Sequence, residues 1–143
     1  MAMWRTGRRN IYELTAWQKV EAFSTLLRAV CHELDLGRDK DWLLYLLMQA
    51  GQRMRQAVAE SWNREYLAEC IFGLSEALTF LALIDYYLVF LCHEGYLTGP
   101  RAEEVDRQLS DLQDVLAALT GQLREVLRTH PEGALSASPW SWN

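Results

Sequence analysis

Four stretches of the chain repeat their apolar residues at the three-and-four spacing of a helix that buries one side, and short polar breaks part them. In the first stretch Val20, Phe23, Leu27, Val30 and Leu34 keep that interval. This predicts a helix from Glu13 to Asp35, with Gly37 as its stop. In the second, Leu43, Leu47, Ala50, Met54 and Ala57 do the same. Asp39 or Asp41 can cap it, and Ser61-Trp62-Asn63 weakens the pattern, so this helix is expected to end near residue 62. The fourth carries Val105, Leu109, Leu112, Leu116, Leu119, Leu123 and Val126 in unbroken alternation, opened by Pro100 and closed by Pro131.

The third stretch differs in kind. Between Glu65 and Glu94 there is no proline, lysine or arginine, and from Ala77 to Cys92 the one charge is Asp85. Phe80, Leu81, Leu83, Ile84, Leu88, Val89, Phe90 and Leu91 cover nearly the whole circumference, where a surface helix would show a stripe. Such a helix needs neighbours on most sides. A chain of 143 residues supplies three more long helices, so part of the surface is expected to meet other copies of the protein, with Phe80, Ile84, Leu88 and Leu91 as the contacts. A membrane span is not expected: the Ala77 to Cys92 run is shorter than the ~18 residues a span needs. Asp85 also interrupts it, and Glu76 and Glu94 stand where Lys or Arg anchors would be.

Short connections force the helices to fold back on one another. The fold expected is all-α, an up-down-up-down antiparallel four-helix bundle over residues 12–130, assembling into a ring-like homo-oligomer. Residues 1–11 read as a basic arm and 131–143 as a flexible tail without helical period. Trp140 and Trp142 in that tail suit either a docking peptide or a segment folded back on the bundle.

Composition adds that the chain is globular, with half its residues apolar and few prolines and glycines. Met1 to Asn10 carries Arg5, Arg8 and Arg9 in place of a secretory pattern, so a cytoplasmic protein is expected, with Cys31, Cys70 and Cys92 as reduced thiols. Net charge is −5 and uneven: residues 1–64 hold ten Lys/Arg against seven Asp/Glu, residues 65–143 four against twelve. Arg5, Arg8 and Arg9, with Arg53, Arg55 and Arg64 on the second helix, are the residues a nucleic acid would meet. The simpler reading is that arginines flanking a seam are solvated or paired with carboxylates.

Chemistry is sparse. Cys31-His32-Glu33 and Cys92-His93-Glu94 repeat at two helix ends, but neighbouring helical residues diverge by about 100° and cannot easily chelate one ion, so no metal is expected. Ala29 and Phe90 stand where a di-iron site needs glutamates, and no nucleophile triad or phosphate loop occurs. The protein is expected to be no enzyme and to hold no cofactor. Asp85 is expected to hydrogen-bond a Tyr or Arg of another helix, or else to line a channel of the oligomer.

Certain residues carry a family resemblance: Leu14 and Ala16-Trp17-Gln18-Lys19 at the first helix, Ala59-Glu60-Ser61 near the end of the second, and Gly95-Tyr96-Leu97 after the third. With their intervals, over about residues 12–127, they resemble the four-helix-bundle family named after 23S rRNA intervening sequences. That family includes the accessory variability determinants of diversity-generating retroelements. Arg53-Met54-Arg55-Gln56-Ala57-Val58 replaces the proline-containing run of the intervening-sequence branch, which tilts the likeness towards the retroelement branch. The resemblance implies a homopentameric barrel without enzymatic activity, partnered by a reverse transcriptase and by RNA or DNA. The function expected is therefore a non-enzymatic accessory or adaptor protein; the alternative is a protein scaffold with no nucleic-acid role.

Overall fold

The computed structural model describes residues 8–64 and 66–129, with side chains from Thr15 onward. Four long helices follow one another: α1 (Arg8–Glu33), α2 (Asp41–Trp62), α3 (Leu67–His93) and α4 (Gly99–Thr129), with a short 3-10 turn at Arg38–Lys40 before α2. No strand occurs among the described residues. α1 begins at Arg8, so Arg8 and Arg9 belong to its first turn and not to an arm. It ends two residues earlier than Asp35, and Leu34 closes it by donating its amide to the Val30 carbonyl at 3.1 Å.

Each helix packs on two others, in the cyclic order α1, α2, α3, α4, so α1 stands diagonal to α3. The side-chain contacts set the directions. Arg55 of α2 meets Glu21 of α1. Lys40, before α2, donates to the Tyr96 hydroxyl just past α3 at 3.2 Å, while Ser61 at the end of α2 lies against Gly73 near the start of α3. Arg101 at the start of α4 holds Glu33 at the end of α1. Every packed pair is therefore antiparallel, and the helices run up, down, up, down.

The reversal after α3 shows why short loops suffice. Gly95 takes φ 82°, a left-handed conformation that a side chain would oppose. The amide of Tyr96 then donates to the Leu91 carbonyl at 2.9 Å and that of Gly95 to Cys92 at 3.1 Å, which satisfies the carbonyls left open at the helix end. Leu97, two residues on, is buried under the turn.

The core is a single column of apolar side chains, mostly aliphatic. Phe23, Leu47, Met54, Leu74, Leu81, Ile84, Leu112 and Leu116 are among those wholly shielded from water. Small residues let α2 pack tightly on both neighbours: a Cβ on Gly73 of α3 would lie 2.9 Å from the Ser61 Cβ, and one on Gly51 would lie 2.8 Å from the Leu27 side chain of α1. Ser61 is fully buried, and its hydroxyl donates to the Val58 carbonyl at 2.7 Å, so the polar group adds no unmet demand inside the core.

Candidate self-association surface

α3 gives its core nine buried residues: Leu67, Cys70, Ile71, Leu74, Ala77, Leu81, Ile84, Leu88 and Leu91. Three of the four side chains expected at an intersubunit contact are in that set. Ile84 and Leu91 are fully buried and Leu88 nearly so, while Phe80 is half-buried against the same core. Ile84, Leu88 and Leu91 therefore serve the subunit's own interior, and Phe80 is shared between that core and the surface. Correction comes from the opposite face. Phe72 (69% exposed), Tyr86 (70%), Val89 (60%), Leu83 and Phe90 stand in solvent on α3, and Trp42 and Tyr45 on the first turn of α2. Among the described residues these seven are all the large apolar side chains left exposed, and none belongs to α1 or α4.

The exposed residues of α3 are ordered. Phe72, Glu76, Thr79, Leu83, Tyr86 and Phe90 are separated by four, three, four, three and four residues, the spacing of a helix seam, and every one is exposed. Because the contact between Lys40 and Tyr96 brings the start of α2 to the end of α3, Trp42 and Tyr45 belong to the same end of the bundle as Tyr86 and Phe90. By length and composition alone α3 is long and apolar enough to cross a membrane, a test that the core helix of a soluble bundle also passes. In the bundle one side of it is the core and the other is this outer seam.

At the far end of the seam a groove of about 400 Å³ opens between α2 and α3, floored by Ala57, Ser61 and Gly73 and rimmed by Glu60, Glu69, Phe72 and Glu76. Arg64 is its one cation and lies 3.7 Å from Glu60. A second groove, about 380 Å³, lies between α3 and α4 and is lined by Asp85, Val89, Cys92, His93 and Asp106 among others. Asp85 is half-buried there and makes no hydrogen bond to a Tyr or Arg among the described residues, contrary to expectation.

The three arginines of α2 and its end that were singled out from the sequence have different surroundings. Arg55 donates from Nε to Glu21 at 2.5 Å and lies 5.1 Å over the Trp17 ring. Arg64 pairs with Glu60 one helical turn away. Arg53 is exposed and has no ion pair among the described residues. Arg5 lies outside the described residues, as do the side chains of Arg8 and Arg9 and the tail tryptophans Trp140 and Trp142.

The two Cys-His-Glu triplets are also split by the fold. Cys31 is buried and its thiol is pushed up to about 11 by that burial, whereas Cys92 is exposed, its thiol raised by partial burial and by the nearby Asp106 carboxylate. Both shifts disfavour the thiolate that a metal or a nucleophilic step needs. No group of three or more His, Cys, Asp or Glu side chains suited to a metal occurs among the described residues.

Fold and surface together define a class: an antiparallel four-helix bundle with an apolar outer face. No family model and no curated protein matches the chain. Among the solved structures similar to the chain is that of a protein of unknown function from the S23 ribosomal protein family of Bacteroides thetaiotaomicron. It is 15% identical, has a TM-score of 0.71, and the match covers 77% of this chain and 98% of that one. At that identity the likeness speaks for the fold alone, and the fold is the four-helix bundle expected from the sequence.

Proposed function

We propose that this protein acts without catalysis, as a self-associating helical adaptor that holds other polypeptides. One observation carries the reading: the exposed apolar side chains are gathered on α3 and the adjoining first turn of α2, and are not scattered over the bundle. Single exposed apolar residues are ordinary, but a gathering of them on one side of the molecule marks an interaction surface. The arginines support a polypeptide partner over a nucleic acid, because Arg55 and Arg64 are engaged with glutamates, and a net charge of −5 repels phosphate.

A second reading is the accessory role of the family resembled, with a reverse transcriptase and its RNA or DNA as partners. The exposed guanidinium of Arg53, without an ion pair among the described residues, and the uneven charge of the chain favour it. Two measurements separate the readings. Light scattering of the full chain over a range of concentrations is expected to give a mass above that of one subunit, and a monodisperse monomer throughout would sink the adaptor reading. Retention of single-stranded RNA or DNA at low salt, falling steeply with ionic strength and lost in an Arg5, Arg8 and Arg9 to alanine variant, would instead establish the second.

A further inference from the structure

Resting on the self-association reading above, we propose that the partner seated on the outer seam of α3 is α3 of a second copy, packed antiparallel about a twofold axis at the level of Leu81. The order of residues along the seam argues for this. Its spacing reads the same in both directions, and extended by one position at each end it runs from Glu69 to His93 with Leu81 at its centre. Turning a second copy end over end therefore superposes seam on seam without a gap. A twofold contact demands such self-complementarity, since each residue's partner must find that residue in return.

The pairs that result are chemically matched. Phe72 meets Phe90 of the second copy, two aromatic side chains with exposed rings. Glu76 meets Tyr86, a carboxylate that can accept from a phenol hydroxyl. Thr79 meets Leu83 near the axis. At the rims Glu69, in the first turn of α3, meets His93, its last residue. Parallel packing of the same two faces would set Glu76 on Glu76 and Glu69 on Glu69. Antiparallel packing keeps the two Glu76 carboxylates about 15 Å apart along the axis and gives each a donor.

The area is adequate. Aromatic side chains bury roughly 150 to 250 Å² each and a leucine somewhat less, so at their observed exposures Phe72, Tyr86 and Phe90 with Leu83 hold about 400 Å² per copy. Two copies reach about 800 Å² from these side chains alone, and the flanking residues bring the total to the threshold of about 1,000 Å² for a specific interface. A twofold contact also uses up the face in one pairing, so a larger ring would have to grow through other surface.

The register supplies its own test, carried out on the full chain. Tyr86→Glu is expected to weaken pairing at least tenfold in sedimentation equilibrium, because it sets a carboxylate against Glu76 of the other copy. Adding Glu76→Lys to that variant is expected to restore pairing, since the new ammonium group of one copy then faces the new carboxylate of the other. Within one chain the two positions are about 15 Å apart and cannot pair. A third measurement fixes direction: in a Cys92→Ser background, Thr79→Cys with Leu83→Cys should oxidise to links between position 79 of one copy and 83 of the other, mapped by mass spectrometry. Links of 79 to 79 and 83 to 83, an unchanged mass for Tyr86→Glu, or failure of the double variant to recover would each overturn this pairing. A wild-type protein that assembles but shows any of these leaves the adaptor reading standing; one that stays monomeric removes both.

Discussion

The outer faces of α3 and α4 could hardly be more different, although the two helices lie side by side and give the core the same kind of residue. α4 turns Glu103, Asp106, Arg107, Asp111, Arg124, Glu125 and Arg128 to water, with Arg107 near Asp111 and Arg128 held by Glu125 along its own surface. α3 turns out Phe72, Leu83, Tyr86, Val89 and Phe90. Their inner faces, Leu109, Leu112 and Leu116 against Leu81, Ile84 and Leu88, would serve equally well in any bundle. The core therefore sets the fold, and what tells these two helices apart in function lies on the side each shows to solvent.

The largest effect that sharpens the contrast comes from splitting α3 into its two faces. Ile84→Ala removes a fully buried side chain and is expected to lower subunit stability by about 2 to 5 kcal/mol in chemical denaturation. Tyr86→Ala, two residues away on the outer face, should leave that stability within about 0.5 kcal/mol while reducing self-association. Equal loss of stability from both substitutions would mean that the exposed seam is not a separate surface.

Glycines provide the next contrast between the two helices. Gly73→Ala in α3 places a Cβ 2.9 Å from the Ser61 Cβ and 3.3 Å from its Cα, and backbone cannot swing aside as the end of a long side chain would. The helix gains about 1 kcal/mol of propensity, but overpacking costs about 1 to 3 kcal/mol, so a net loss of about 1 kcal/mol is expected. Gly121→Ala in α4 meets nothing within 4 Å and should raise stability by about 0.5 to 1 kcal/mol. Thermal unfolding of the pair checks both signs.

That contrast also explains how far the sequence could be read. The helices, their order and the turn at Gly95 were legible, because α2 and α4 have one-sided apolar stripes and the stop signals stand where the chain reverses. α3 was legible as a helix but not as an oriented one. Being apolar all round, it gives no preference between faces, and Phe80, Ile84, Leu88 and Leu91 looked as fit for a partner as for the core. The available signal was subtler: Glu69, Glu76, Thr79 and His93 share a face with Phe72, Tyr86 and Phe90, and a face that includes carboxylates is an outer one. The start of α1 at Arg8 lies five residues before the expected Glu13, in a run where the polar Arg8, Arg9 and Asn10 set no apolar repeat. The pairing of Arg55 with Glu21 spans 34 residues and is set by helix packing alone.

The smallest expected effect concerns the clasp that joins α1 to α4, a polar counterpart to the apolar seam. Arg101 donates from Nε to Glu33 at 3.1 Å, approaches it with a second guanidinium nitrogen and also reaches Glu104. The hydrogen bond from Arg101 lowers the Glu33 pKa from its ordinary 4.5, with the nearby positive charge adding to the effect. A carboxylate whose folded pKa is depressed adds stability above its unfolded pKa and loses it as pH falls through the folded value. Glu33→Gln should therefore lower the melting temperature slightly at neutral pH, and the difference from wild type should shrink below pH 4.5. Because the pair is exposed, salt should shrink it too. Tyr86→Ala, by contrast, should weaken self-association about equally at low and high salt, since what it removes from the seam is chiefly apolar area. If salt weakened the assembly as much as it weakens this clasp, the contact between copies would be ionic and the seam of α3 would not be its basis.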